Sequence, residues 1–166
     1  MVIPILYPTA IPFPPIVDLL IATATTSVTM DGLNGNAHGG YEFEFIIVNT
    51  TGSTNVPRMY YNNDMTNTNY YFTDTNGGAY GNDAILGITG GVLAGQRYTF
   101  TGIIYITPEG AVGIIGERQK DSTVHEQNIT VHKKSATIAN LTRIDIVGSV
   151  DSGIGVNSRF RLWRRI

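Results

Sequence analysis

The densest group of reactive side chains lies at the C-terminal end. Arg159, Arg161, Arg164 and Arg165 place four of the eleven basic residues within the last eight positions. In an extended strand, alternate side chains share a face, so Arg159, Arg161, Trp163 and Arg165 point together while Phe160 and Leu162 point inward. A flat cationic stripe around an exposed indole suits a protein partner, through stacking and cation–π contact. It suits nucleic acid poorly, because four arginines on a chain of net charge −2 make only a small patch. The chain is also electrically lopsided: Asp18, Asp31, Glu42 and Glu44 all precede the first basic residue, Arg58.

A second group is aromatic. Tyr60, Tyr61, Tyr70, Tyr71 and Tyr80 fall within twenty-one residues that are also rich in Asn. Flat rings with adaptable amide hydrogen bonds are the chemistry of glycan contact. The competing reading is that each Tyr-Tyr pair sends one ring in and one out, as a half-buried strand requires.

Other chemistry finds less support. With no Cys in the chain, thiolate zinc sites, disulfides and cysteine nucleophiles are excluded. Paired carboxylates for sugar hydrolysis could be drawn from Glu42, Glu44 and Glu126; Glu42 and Glu44 share a strand face about 7 Å apart, which reads as solvated decoration rather than a catalytic pair. His125 and His132 are seven apart, so a regular strand sends them to opposite faces. His38 has no companion, and no nucleophile-elbow motif is present. Two loops, 31–40 and 74–83, are rich in Gly, Asn and Asp. Neither has the alternating oxygen ligands and terminal Glu of a calcium loop, so both are expected to be turns without metal. The expectation is a protein with no catalytic residues and no cofactor.

The elements that must position these groups are strands. Charged residues are only 14% of the chain, and their place is taken by Gly, Asn and Thr, which favours strands and tight turns over surface helices. From Thr25 onward, short alternating segments follow one another: 26–30, 41–49, 58–62, 69–73, 84–89, 96–107, 111–118, 122–133, 140–150 and 158–165. Gly102 reads as a bend or bulge. About ten strands in 166 residues predict an all-β fold, an antiparallel two-sheet sandwich of four or five strands per sheet, jelly-roll-like, with helix under about a tenth of the chain. The expected core includes Phe43, Phe45, Tyr98, Phe100, Ile104, Ile144, Ile146, Phe160 and Leu162.

The first residues differ. Pro4, Pro8, Pro12, Pro14 and Pro15 exclude a helix or central strand and favour polyproline-like extension. The expected division is an extended arm over 1–20 and a sandwich over 21–166. A signal peptide is disfavoured by those prolines and by the lack of a basic start, and no apolar run is long enough to span a bilayer. Ile3, Ile5, Leu6, Tyr7, Ile11 and Phe13 make the arm suited to latching onto a partner.

Two stretches carry a resemblance. "SVTMDGLNGNAHGGYEFEFIIVN" (27–49) and "GSVDSGIGVNSRFRLWRR" (148–165) resemble the opening corner and closing strand of a jelly-roll-like domain in virion proteins of tailed bacteriophages. The resemblance covers roughly residues 20–166 and leaves the arm outside. It implies a structural or adhesive virion component: a capsid decoration or cement subunit on the head surface, binding the major capsid protein and copies of itself as a homo-oligomer such as a trimer. The alternative it allows is a tail-associated, receptor- or carbohydrate-binding module. It implies no catalytic residues.

Overall fold

The computed structural model describes residues 13–74, 80–86, 91–106, 112–120, 124–134 and 138–165, and side chains outside 72–81 and 107–137. Eleven strands occur among them: β1 (Val17–Leu20), β2 (Ser27–Met30), β3 (Gly40–Val48), β4 (Arg58–Tyr61), β5 (Tyr70–Asp74), β6 (Tyr80–Gly81), β7 (Arg97–Ile106), β8 (Val112–Lys120), β9 (Val124–Lys134), β10 (Ile144–Val147) and β11 (Arg159–Arg164). Helix among the described residues is confined to one turn, α1 (Gly35–His38), and a 3-10 turn at Asn67–Asn69.

The pairing is nested. β1 pairs with β11, β2 with β10, and β3 with β7, all antiparallel. β4 is joined by the segment 84–86, through the Arg58–Ile85 bridge and the bond from Met59 N to Ala84 O at 2.8 Å. Nested pairs of this kind make one long two-stranded ribbon. β11 then also pairs with β3, and β10 with β4, which rolls the ribbon into two facing sheets. The product is a jelly roll, with β1-β11-β3-β7 in one sheet and β2-β10-β4 in the other.

The expected split of four or five strands per sheet fits this frame but not the whole. The large sheet has eight strands, in the order β1-β11-β3-β7-β8-β9-β5-β6, and the small one has three. The difference arises because β8 and β9 continue outward from β7 as a meander, β5 joins β9 rather than the small sheet, and β6 adds to β5. Gly102 is not a bulge: the β3–β7 and β7–β8 registers run straight through it, and the register shift lies between Gly116 and Arg118 on the β8–β9 ladder.

Alternation places the core as the sequence predicts. All nine expected core residues are buried. Phe45 lies at the centre, stacked on Phe43 at 4.6 Å between ring centroids and tilted against Phe160 at 5.5 Å. Loop 31–40 is a corner. Asn34 caps α1 by accepting from Ala37 N, and Gly39 at φ 64° ends it in the left-handed region. Gly40 at φ 145° then enters β3, where a Cβ would lie 2.4 Å from Ile104 O, so only glycine fits.

The boundary at residue 20 shifts. Val17–Leu20 is a sheet strand paired with β11, and Ile16, Val17 and Leu19 pack against the core, so an arm outside the sandwich ends before Ile16. Phe13 is 57% exposed. Ile3, Ile5, Leu6, Tyr7 and Ile11 lie outside the described residues.

Two buried amides close one end of the sandwich. Asn49 Nδ2 donates to Ser53 O and Val92 O, and its Oδ1 accepts from Thr51 N. Asn55 Nδ2 donates to Gly153 O at 2.8 Å, and its Oδ1 accepts from Ser149 N at 2.9 Å. Cβ atoms at Gly148 and Gly153 would come within 2.9 and 2.7 Å of that amide, so both positions are glycine to admit it. Asn55→Ala strands a buried carbonyl and leaves an amide N–H without its partner. It is expected to destabilise the fold by about 2–4 kcal/mol, read as a lower urea midpoint with an unchanged slope.

Candidate partner-binding surface

The stripe expected on β11 exists as a face. Phe160 and Leu162 are buried, while Arg159, Arg161 and Trp163 are half-buried on the opposite side and Arg165 is exposed. Two of its cations are already committed. Arg159 forks onto Asp18 of β1, with Nε to Oδ1 at 2.7 Å and Nη2 to Oδ2 at 2.6 Å. Arg161 pairs with Glu44 of β3 and lies 5.6 Å from the Trp163 ring centroid. The two ion pairs bind the edge strand β1 to β11, and β11 to β3. What faces outward for a partner is therefore Trp163 and Arg165 rather than three free guanidiniums.

The rest of that outer face follows from the register. Trp163 stands opposite Glu42, and Glu42 opposite Ile103. In the next row, Arg165 N donates to Gly40 O, and Gly40 stands opposite Tyr105. Trp163, Glu42, Ile103 and Tyr105 are all half-buried. Glu42 carries no ion pair among the described residues, unlike Glu44 two positions on.

The tyrosine segment is packed inward rather than displayed. Tyr60, Tyr61 and Tyr70 are buried, with Tyr70 5.4 Å from Tyr60 and 5.8 Å from Tyr61 between ring centroids. Tyr70 Oη accepts from Tyr61 N at 2.9 Å and donates to Asp64 O at 2.8 Å, and Tyr60 Oη donates to Asn67 Oδ1 at 2.6 Å. Burial pushes the Tyr61 and Tyr70 hydroxyls up, well clear of any physiological titration. Tyr60 alternates with Met59 and Tyr61 along β4, yet it is buried too, edge-on against Tyr70 and bonded to Asn67. These three rings have no free face for a glycan. Tyr71 is 38% exposed, and the Tyr80 side chain lies outside the described residues.

A polar cluster not anticipated from the sequence sits on the outer side of the small sheet. Asp145 of β10 is only 1% exposed. It accepts from Thr29 Oγ1 at 2.7 Å and from Arg143 Nε and Nη2 at 2.7–2.9 Å. Arg58 forks onto Asp83 in the same manner, at 2.8 and 3.1 Å. Both are strand clasps, tying β10 to β2 and β4 to the 83–86 segment. The signal in the sequence was an Asp set within "RIDIV", at a position flanked by Ile144 and Ile146.

Among the described residues, no three His, Asp or Glu side chains are grouped to hold a metal. His38 Nδ1 meets Tyr41 Oη at 2.9 Å, and desolvation with the nearby Arg164 charge lowers its pKa. The side chains of His125, Glu126 and His132, and of 74–81 in the second loop, lie outside the described residues. No helix among the described residues is long and apolar enough to cross a membrane.

No protein-family model matches the chain, and no curated protein matches its sequence. Among solved structures, an alginate lyase in complex with an alginate tetrasaccharide is similar at 11% identity over 84% of this chain and 81% of that one, with a TM-score of 0.27. A likeness that slight assigns neither an activity nor a ligand.

Two expectations test the roles of Asp18 and Tyr70. The Arg159 guanidinium holds the Asp18 carboxyl below its ordinary value. A depressed folded pKa stabilises above the unfolded value and loses that effect as pH falls through the folded one. Asp18→Asn should therefore lower the urea midpoint slightly at pH 6, as suits a part-exposed pair, and the gap to the parent chain should close near pH 2. Tyr70→Phe removes the acceptor for the buried Tyr61 N–H and should cost about 1–3 kcal/mol, seen as a lower Tm with the β-type circular dichroism retained.

Proposed function

We propose that this chain is a non-enzymatic structural protein of a virion, a decoration or cement subunit that binds the major capsid protein and copies of itself and stabilises the head. The observation that carries the reading is the fate of the charged groups. Three ion pairs of the described residues, Asp18–Arg159, Glu44–Arg161 and Asp83–Arg58, join neighbouring strands or segments; the fourth, Asp145–Arg143, is local to β10 and reaches β2 through Thr29, so these groups act as clasps rather than as acids, bases or ligands. Such a shell suits a subunit under mechanical and thermal load. The phage-virion resemblance of the 27–49 and 148–165 stretches gives the setting. The apolar, proline-rich arm before Ile16 and the Trp163–Arg165 face are the two contact elements in this reading.

A glycan-binding role through the tyrosine segment is not carried forward, because three of its five rings are buried. The capsid reading predicts that the purified chain co-sediments with shells of the major capsid protein of the same virion, saturates at a fixed ratio, and raises the temperature at which those shells open. Failure to co-sediment, with the sandwich intact by circular dichroism, would count against the virion role.

A further inference from the structure

The outward face of a half-solvated antiparallel sheet is ordinarily polar. On β11, β3 and β7 the Arg161–Glu44–Thr101 row follows that rule, but the end of the face beyond it is rich in large apolar and aromatic groups. Trp163 and Ile103 flank Glu42 in one row, and Tyr105 stands in the next beside the side-chain-free Gly40. The charges that would make this face polar are largely neutralised within it, Arg161 by Glu44 and Arg159 by Asp18. An indole and a phenol on a nearly neutral platform are the chemistry that receives proline-rich chain, which docks with little loss of conformational entropy because it is already extended.

This chain contains such a ligand. Residues 1–15 include five prolines with Ile3, Ile5, Leu6, Tyr7, Ile11 and Phe13, and no charged side chain. The segment departs from the sheet beside the platform: Val17 pairs with Leu162, and Ile16 N donates to Leu162 O. Twelve residues of polyproline helix reach about 37 Å, whereas the platform from β11 to β7 is only about 10 Å across. Folding back onto the platform of the same copy would have to begin within Pro12, Pro14 and Pro15, where the fixed φ of proline leaves the chain least free to bend. A second copy can receive it without that reversal.

We infer that the arm of one copy docks on the Trp163–Ile103–Tyr105 face of another, so that the chain assembles by exchanging arms. The inference does not depend on the virion role, since it concerns copies of this chain alone.

The test uses the full chain, whose sole tryptophan is Trp163. Sedimentation across a concentration series should show assembly, and Trp163 emission should move to the blue over the same range. Removing residues 1–12, which leaves every described contact in place, should abolish both changes. Trp163→Ala and Tyr105→Ser should each move the assembly midpoint at least tenfold higher while the urea midpoint stays near that of the parent. Tyr105→Ser keeps the test valid if the Trp163 variant folds poorly. Mixing the arm-less chain with Trp163→Ala should restore pairing, since one supplies platforms and the other arms. A full chain that stays monomeric overturns the inference, as does assembly that survives arm removal. A shift in Trp163 emission on arm removal in a monomer would place the arm on its own platform and overturn the exchange.

Discussion

The last strand of this protein lies between its first and its third. β11 bonds β1 on one side and β3 on the other, so the large sheet has no continuous hydrogen-bonded path from β1 to β3 until residues 159–164 are in place. Everything else arranges itself around that insertion. The core needs Phe160 against Phe45, the edge strand β1 pairs with no other strand among the described residues, and the two ion pairs on the outer face of β11 run through Arg159 and Arg161. Contacts between residues this distant in sequence carry a loop-closure cost before any of them forms. The four nested pairs spread that cost, because closing β4 on the 84–86 segment shortens the effective loop for β3 and β7, and so on outward.

The same insertion explains what the sequence could and could not reveal. Which side of β11 faces the core was legible from Phe160 and Leu162, because alternation is a local property of the strand. That Arg159 and Arg161 would be neutralised was not, because their partners, Asp18 and Glu44, come from elements at the other end of the chain. A charge stripe reads as free until the register is known. The tyrosines failed in the same way. Alternation assigned one ring of the Tyr60–Tyr61 pair to solvent, but both are buried. Tyr60 is covered, since the loop that follows returns Asn67 to its hydroxyl.

The buried amides mark another limit. Asn49 and Asn55 stand among Thr, Gly and Ser, where Asn ordinarily signals a turn. Both are indeed beside turns, but their side chains point into the molecule and satisfy backbone groups of three separate segments. What distinguishes them is the pair of glycines at 148 and 153 that makes room for Asn55. That relation spans nearly a hundred residues, and composition alone cannot display it. The strand count was near because each strand announces itself, whereas the eight-and-three division depends on which edge β5 and β8 select.

A sheet ending in a four-residue strand exposes unpaired backbone groups, and proteins must guard such an edge against further pairing. β1 is guarded by its length and by Pro14 and Pro15 just before it, which offer no N–H to a neighbouring strand. Addition of another sheet along that edge is thereby discouraged. The outer face beside it is under no such restraint, because the clasped pairs of Arg159 and Arg161 leave Trp163, Ile103 and Tyr105 with Glu42 as the one carboxylate in their row. Edge protection and an apolar face together direct association away from backbone pairing and toward side-chain contact. Contact of that kind depends on the shape and chemistry of the face, so it can be specific where edge pairing would be indiscriminate.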